Sequence, residues 1–121
     1  MNLCVISGRM AADPEIRQTQ SGVSVTSFRL AVDRDYAAKG KERETDWIDC
    51  VAWRERGEAI AKYFTKGKPI TVIGSIETRT WEDKQGQKRK AVEVVVDRFE
   101  FAMTDKTQAQ ASDQTALPFD F

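Results

Sequence analysis

Residues 45 to 67 read Thr45-Asp46-Trp47-Ile48-Asp49-Cys50-Val51-Ala52-Trp53 and then Arg54-Glu55-Arg56-Gly57-Glu58-Ala59-Ile60-Ala61-Lys62-Tyr63-Phe64-Thr65-Lys66-Gly67. The change of period between the two halves decides the architecture. In the first half apolar character alternates, with Ile48, Cys50 and Ala52 on one side and Trp47, Asp49, Val51 and Trp53 on the other, as in a half-buried strand. The smaller apolar set marks the core side, so both tryptophans point away from it or into a second interface. From Arg54 to Lys66 the period turns helical: Ile60, Tyr63 and Phe64 stand at i, i+3 and i+4. Glu55 and Glu58 lie early and Lys62 and Lys66 late, matching the helix dipole. Gly67 is placed as the C-terminal cap.

Upstream, Leu3 to Arg9 reads as a short strand that bends at Ser7-Gly8, and Ala12-Asp13-Pro14 reads as a turn. Gln18 to Gly22 forms a loop into a second strand, Val23 to Arg34. There Val23 and Val25 share one parity and Phe28, Leu30 and Val32 the other, which a bulge near Thr26-Ser27 reconciles. Tyr36 to Glu44 is a charged loop.

Downstream, Ile70, Val72, Gly74 and Ile76 alternate with Thr71, Ile73, Ser75, Glu77, Arg79 and Trp81. The turn Asp83-Lys84-Gln85-Gly86 leads to a last strand from about Arg89 to Phe101, making a long hairpin. The order predicts an all-β chain: a five-stranded OB-fold barrel with one helix between its third and fourth strands. Residues 1–103 make this domain. Residues 104–116, rich in Thr, Gln, Ala, Ser and Asp without periodicity, are expected to be a flexible, disordered linker. The tip, Leu117-Pro118-Phe119-Asp120-Phe121, regains large apolar side chains.

The chain has 121 residues, enough for one domain with its own core, and no apolar run approaches the roughly 20 residues of a membrane span. Its N-terminus lacks the features of a secretory signal, so a cytoplasmic location is the expectation. Cys4 and Cys50 sit in apolar strands outside any metal-binding spacing and are expected to be buried thiols. With no histidine, the usual general base and commonest metal ligand are missing, so neither catalysis nor a cofactor is expected. Net charge is zero, but the last 18 residues hold Asp105, Asp113 and Asp120 against Lys106. A mildly basic body thus precedes an acidic tail.

On an OB barrel that binds single strands, bases stack on exposed aromatics while cations follow the phosphates. All three tryptophans, Trp47, Trp53 and Trp81, lie on the parity opposite their strand's core stripe, and Tyr36 adds a ring at the start of the charged loop. Each has cations beside it: Arg34 near Tyr36, Arg54 and Arg56 after Trp53, Arg79 before Trp81, and Lys84, Lys88, Arg89 and Lys90 along the hairpin. Between Arg79 and Lys90, five cations face two anions. These eight cations are the candidate phosphate contacts. The same pattern also fits a protein-interaction OB module whose tryptophans line a subunit interface. The acidic cluster Glu42, Glu44 and Asp46 is the best candidate for an enzyme's carboxylates and has no partner base.

Several stretches together resemble the bacterial and phage single-stranded DNA-binding protein family across residues 3 to about 101. They are Ala12-Asp13-Pro14-Glu15-Ile16-Arg17, Thr45-Asp46-Trp47-Ile48, Ala61-Lys62-Tyr63-Phe64-Thr65-Lys66-Gly67, Ile73-Gly74-Ser75-Ile76-Glu77-Thr78-Arg79-Thr80-Trp81, Gly86-Gln87 and Val92-Glu93-Val94-Val95-Val96. The resemblance implies an OB fold, usually a homotetramer, that wraps single-stranded DNA without sequence preference in replication, recombination and repair. It puts Tyr36, Trp47, Trp53 and Trp81 on stacking positions. It also implies that Leu117, Pro118, Phe119, Asp120 and Phe121 dock partner proteins of those processes. Three departures stand out: Trp53 replaces the family's more usual phenylalanine, Asp49 sets a negative charge between two stacking rings, and Asp120-Phe121 follow the usual Leu-Pro-Phe ending.

Overall fold

The computed structural model describes residues 1–36 and 38–101. It contains strands β1 (Cys4–Met10), β2 (Glu15–Gln18), β3 (Ser24–Asp33) and β4 (Thr45–Trp53), helix α1 (Arg54–Tyr63), and strands β5 (Pro69–Glu82) and β6 (Lys88–Phe101). β1 pairs with β5, β5 with β6, β6 with β4, β4 with β3, and β3 returns to β1, so five strands close into a barrel. Among the described strands only β4 and β6 run parallel, at Cys50 opposite Val94 and Val51 opposite Val95. This is the OB fold the element order predicts, with α1 in the expected place.

The core follows from strand parity. Phe28 and Leu30 of β3, Cys50 and Ala52 of β4, Ile70 and Val72 of β5, and Val94 and Val96 of β6 pack together with Met10, Ile60 and Phe64. Each large member contributes about 1.5–3 kcal/mol by leaving water. α1 closes on this core through Gly57 and Ile60. A Cβ at Gly57 would collide with the carbonyl oxygen of Ala52 and the side chain of Thr26. Glycine, a poor helix former, stands there because the helix backbone packs directly against β3 and β4 at that point.

The structure corrects five expectations. A sixth strand, β2, pairs with β3 from Glu15 opposite Ser27 to Gln18 opposite Ser24. Its four residues are all exposed, so it carries no apolar alternation and had no hydrophobic signature to read. No bulge interrupts β3 near Thr26-Ser27: its register with β4 runs unbroken from Val25 opposite Trp53 to Asp33 opposite Thr45. Val25 lies instead on the parity opposite Phe28 and Leu30, buried and with Trp53 as its cross-strand partner. The irregularity occurs between β5 and β6, where Ile73 faces Arg98 but Gly74 faces Val96, leaving Asp97 extra. A Cβ at Gly74 would run into the Val95 carbonyl.

Nor does the helix reach Lys66 or use Gly67 as its cap. It ends at Tyr63, and Phe64 caps it in extended conformation, its N–H bonded to the Ile60 oxygen at 3.0 Å. Two tertiary demands override the helical pattern: Phe64 inserts into the core, and Gly67, at φ 87°, donates its N–H to the Met10 carbonyl at 2.8 Å. Cys4, finally, is only half-buried, because it opens β1 at the barrel's rim. Cys50 is buried, and desolvation pushes its thiol up to about 12.

The linker at 104–116 and the tip at Leu117–Phe121 lie outside the described residues. No described helix is long and apolar enough to cross a membrane.

Candidate nucleic-acid interface

Strand parity aims the tryptophans outward as expected. Trp47 is 60% exposed, Trp53 41% and Trp81 42%. Each ring thus keeps a large aromatic surface in contact with water. Trp47 stands across from Ala31, whose small side chain leaves a cavity of about 360 Å³ open to the ring. Trp53 ends β4, and Arg54 follows it with a φ of 59°, a left-handed backbone that swings the chain straight from strand into helix. Trp81 stands near the tip of the hairpin, opposite Arg89.

Tyr36 is 81% exposed in the loop between β3 and β4. The loop's base is fastened by Arg34. Its N–H bonds to the Glu44 carbonyl at 3.0 Å, and its guanidinium donates to both Asp46 oxygens (3.1 and 3.2 Å) and to Glu44 Oε2 at 3.2 Å. The Arg34 hydrogen bond holds the Asp46 carboxyl below its ordinary range, and Asp46 in turn raises Arg34. A cavity of about 540 Å³ opens beside this clamp, lined by Arg34, Tyr36 and Lys41 among others. Two of the three carboxylates of the acidic cluster thus serve to fix an arginine.

Ion pairs sort the candidate cations into two groups. Arg34 is bound by Asp46 and Glu44, Arg79 by Glu93 at 3.1 Å, and Arg89 by Asp83 at 2.9 Å. Asp83 also accepts the N–H groups of Gln85 and Gln87 and has its carboxyl lowered by them and by Arg89. Arg54, Arg56, Lys84, Lys88 and Lys90 are exposed and make no ion pair among the described residues. No cluster among the described residues has the side chains to hold a metal ion.

A family model described as the single-strand binding protein family matches residues 1–102. The chain belongs to that family. Single-stranded DNA-binding protein 1 of Lactococcus lactis subsp. lactis is 43% identical over 98% of this chain and 77% of its own length. Single-stranded DNA-binding proteins of Enterococcus faecalis and Streptococcus pyogenes serotype M3 are each 42% identical. They match 83% and 93% of this chain, and 53% and 69% of their own lengths.

Within this single-strand binding family member, the outer sheet face is more continuous than the sequence alone suggested. Trp53 and Arg79 border one cavity of about 330 Å³, with Val51, Val95 and Glu93 in its wall. Trp47 borders another of about 270 Å³, together with Asp49 and Glu93. Arg79 lies over the Trp81 ring at 4.7 Å. Trp47, Trp53 and Trp81 are therefore linked through Asp49, Glu93 and Arg79, whereas Tyr36, Arg34 and Lys41 gather at the separate loop cavity.

Sequence reasoning missed Arg29, Arg17, Lys41 and Glu93. Arg29 matters most: it is the cross-strand partner of Asp49 and donates to it at 2.8 Å, a contact that raises the arginine further. The negative charge between Trp47 and Trp53 is thereby matched. Register was the missing signal, since alignment of β3 on β4 puts the two residues face to face.

Proposed function

We propose that this chain binds single-stranded DNA without sequence preference and without catalysis, stacking bases on Trp47, Trp53, Trp81 and Tyr36. Three outward tryptophans on one barrel face carry this reading, and the names of the relatives support it. Every base has a π-face, so stacking tolerates any sequence. Arg54, Arg56, Lys84, Lys88 and Lys90 meet phosphates directly. Arg34, Arg79 and Arg89 do so by exchanging a carboxylate for a phosphate. No cofactor is needed for this work.

The bound strand is kept extended and protected in replication, recombination and repair. The tip, Leu117 to Phe121, docks the proteins of those processes. Leu3 and Val5, two residues apart and on the same side at the start of β1, are both exposed, an apolar surface that suits assembly of several copies into a tetramer. A cytoplasmic setting fits these partners.

Titration with oligo-dT, followed by intrinsic fluorescence, tests the reading. Stacking quenches most tryptophan emission, while duplex DNA of equal length has little effect. In proteins of this class each stacked base is worth about 1–3 kcal/mol by alanine substitution, so Trp47→Ala or Trp81→Ala each weakens binding about fivefold or more. Emission unchanged at saturating oligonucleotide would mean the rings serve another purpose.

A further inference from the structure

Trp81 is not an empty platform. Arg79, two residues earlier on the same parity of β5, covers the ring with its guanidinium carbon 4.7 Å from the ring centroid. Its Nε donates to Glu93 Oε1 at 3.1 Å. Glu93 stands on β6 directly opposite Glu77, while Arg79 stands opposite Ala91, so the ion pair is diagonal across the ladder. Two carboxylates facing each other repel, and like charges directly opposed destabilise a sheet. The guanidinium beside them relieves that repulsion. Arg79 is thus held over Trp81 from below by the ring and from the side by an acid whose own side chain is only 23% exposed.

The pair also lies at a crossing. Arg79 and Glu93 together wall the cavity of about 330 Å³ that contains Trp53, and a second of about 370 Å³ that contains Arg29 and Asp49. On the strand-binding reading, a strand running from Trp53 to Trp81 passes over them.

We infer that Glu93 is a positioning residue of this interface: it parks Arg79 on the Trp81 ring in the free protein, so that strand binding at Trp81 is an exchange. The base takes the ring face that the guanidinium leaves, and the guanidinium moves from Glu93 to a phosphate. This rests on the strand-binding reading above and adds its mechanism at one position. Glu93 sets how strongly that position binds, because it competes with phosphate for the same N–H donors. When the guanidinium leaves, Glu93 and Glu77 face each other again and recruit a solution cation, which offsets the counterion released from the phosphate. Trp81 therefore contributes a weaker salt dependence than its neighbouring arginine suggests.

The test uses the full chain with Glu93→Gln, Glu93→Asp and Arg79→Ala. In a background of Trp47→Phe and Trp53→Phe, where Trp81 alone emits, acrylamide quenching without DNA reports access to the ring. Quenching rises in Arg79→Ala and in Glu93→Gln, and returns toward the parental value in Glu93→Asp. With all tryptophans present, oligo-dT titrations across a range of salt follow. Glu93→Gln binds about two- to fivefold tighter at low salt, the worth of one exposed ion pair. Its salt slope steepens by about 0.7 log unit per decade, the contribution of one added single-strand phosphate contact. A merely structural role for Glu93 would leave that slope where it was. Unchanged acrylamide quenching in both Arg79→Ala and Glu93→Gln would overturn the parked state. Parental dT binding with an unchanged or shallower slope in Glu93→Gln would overturn the exchange while leaving strand binding intact. No dT binding by the parent would remove the strand-binding reading, and the exchange with it.

Discussion

Substituting Lys84, Lys88 and Lys90 together by Gln separates available charge from charge already committed. The three lysines project from the β5–β6 hairpin and its turn without an ion pair among the described residues, whereas Arg89 beside them is held by Asp83. Phosphate neutralisation on a single strand releases about 0.7 counterion per contact, so three contacts amount to roughly 2 log units of affinity per decade of salt. Between about 50 and about 200 mM salt, the parent then loses roughly twentyfold more affinity than the triple variant. Titrating oligo-dT at four or five salt concentrations, with tryptophan quenching as the signal, measures both slopes in one series. Arg89→Gln alone serves as the comparison. Its slope changes by less than that of any single lysine, because Asp83 already offsets its charge. A triple variant with the parental slope would refute the reasoning and place the phosphates along Arg54 and Arg56 instead. A fall in affinity with no change in slope would show that the lysines act through hairpin structure.

Three further outcomes follow from the same structure. Gly57→Ala forces a methyl group against the Ala52 carbonyl and Thr26, so the barrel loses about 1–3 kcal/mol, read as a fall in thermal midpoint of at least several degrees; a midpoint unchanged within a degree would mean α1 can shift freely. Arg54 holds a left-handed backbone angle that costs most residues about 1–2 kcal/mol, so Arg54→Gly unfolds at a higher temperature than Arg54→Ala, with equal stability of the two arguing against strain at this junction. Asp46 and Asp83 have carboxyl pKa values below the ordinary one, so their contribution to stability is full above the unfolded value near 3.8 and is lost as pH falls through the lower folded value. Acid unfolding of the parent is therefore steeper below about pH 4 than that of Asp46→Asn with Asp83→Asn, and superimposable curves would show these contacts absent in solution.

How much of this was legible depended on whether the deciding force was local. The alternation of Ile48, Cys50 and Ala52 against Trp47 and Trp53 is a property of nine consecutive residues, and the structure keeps it. The same holds for the helix that begins at Arg54 and for the turn at Asp83, where one carboxylate collects two backbone N–H groups within four residues. The end of α1 failed because its stop is set from elsewhere: Met10, more than fifty residues away in sequence, accepts the Gly67 N–H, and the core takes Phe64. β2 failed because a strand of exposed residues is held by the hydrogen bonds of its neighbour alone.

The candidate site divides along the same line. Exposed rings can be named from parity, since a tryptophan opposite the core stripe has only one side to face. The fate of a charge cannot, because an arginine is a phosphate ligand or a carboxylate's partner according to what the next strand brings beside it. Arg29 meets Asp49 only when β3 and β4 are set in register, and Arg79 meets Glu93 only diagonally across β5 and β6. Counting cations from Arg79 to Lys90 therefore overstated the free charge of the hairpin. Of the five in that stretch, Arg79 and Arg89 are bound, and Lys84, Lys88 and Lys90 remain. On the proposed reading the interface is a row of rings flanked by three arginines already occupied, Arg34, Arg79 and Arg89, and by cations that are not, Arg54, Arg56, Lys84, Lys88 and Lys90. In the proposed function each bound arginine is traded from its carboxylate to a phosphate, whereas each unpaired cation needs only to be reached. On this reading a ring substitution lowers affinity without changing the salt slope, whereas substituting Lys88 or Lys90, which stand on the opposite parity of β6 from Arg89 and Trp81, lowers both.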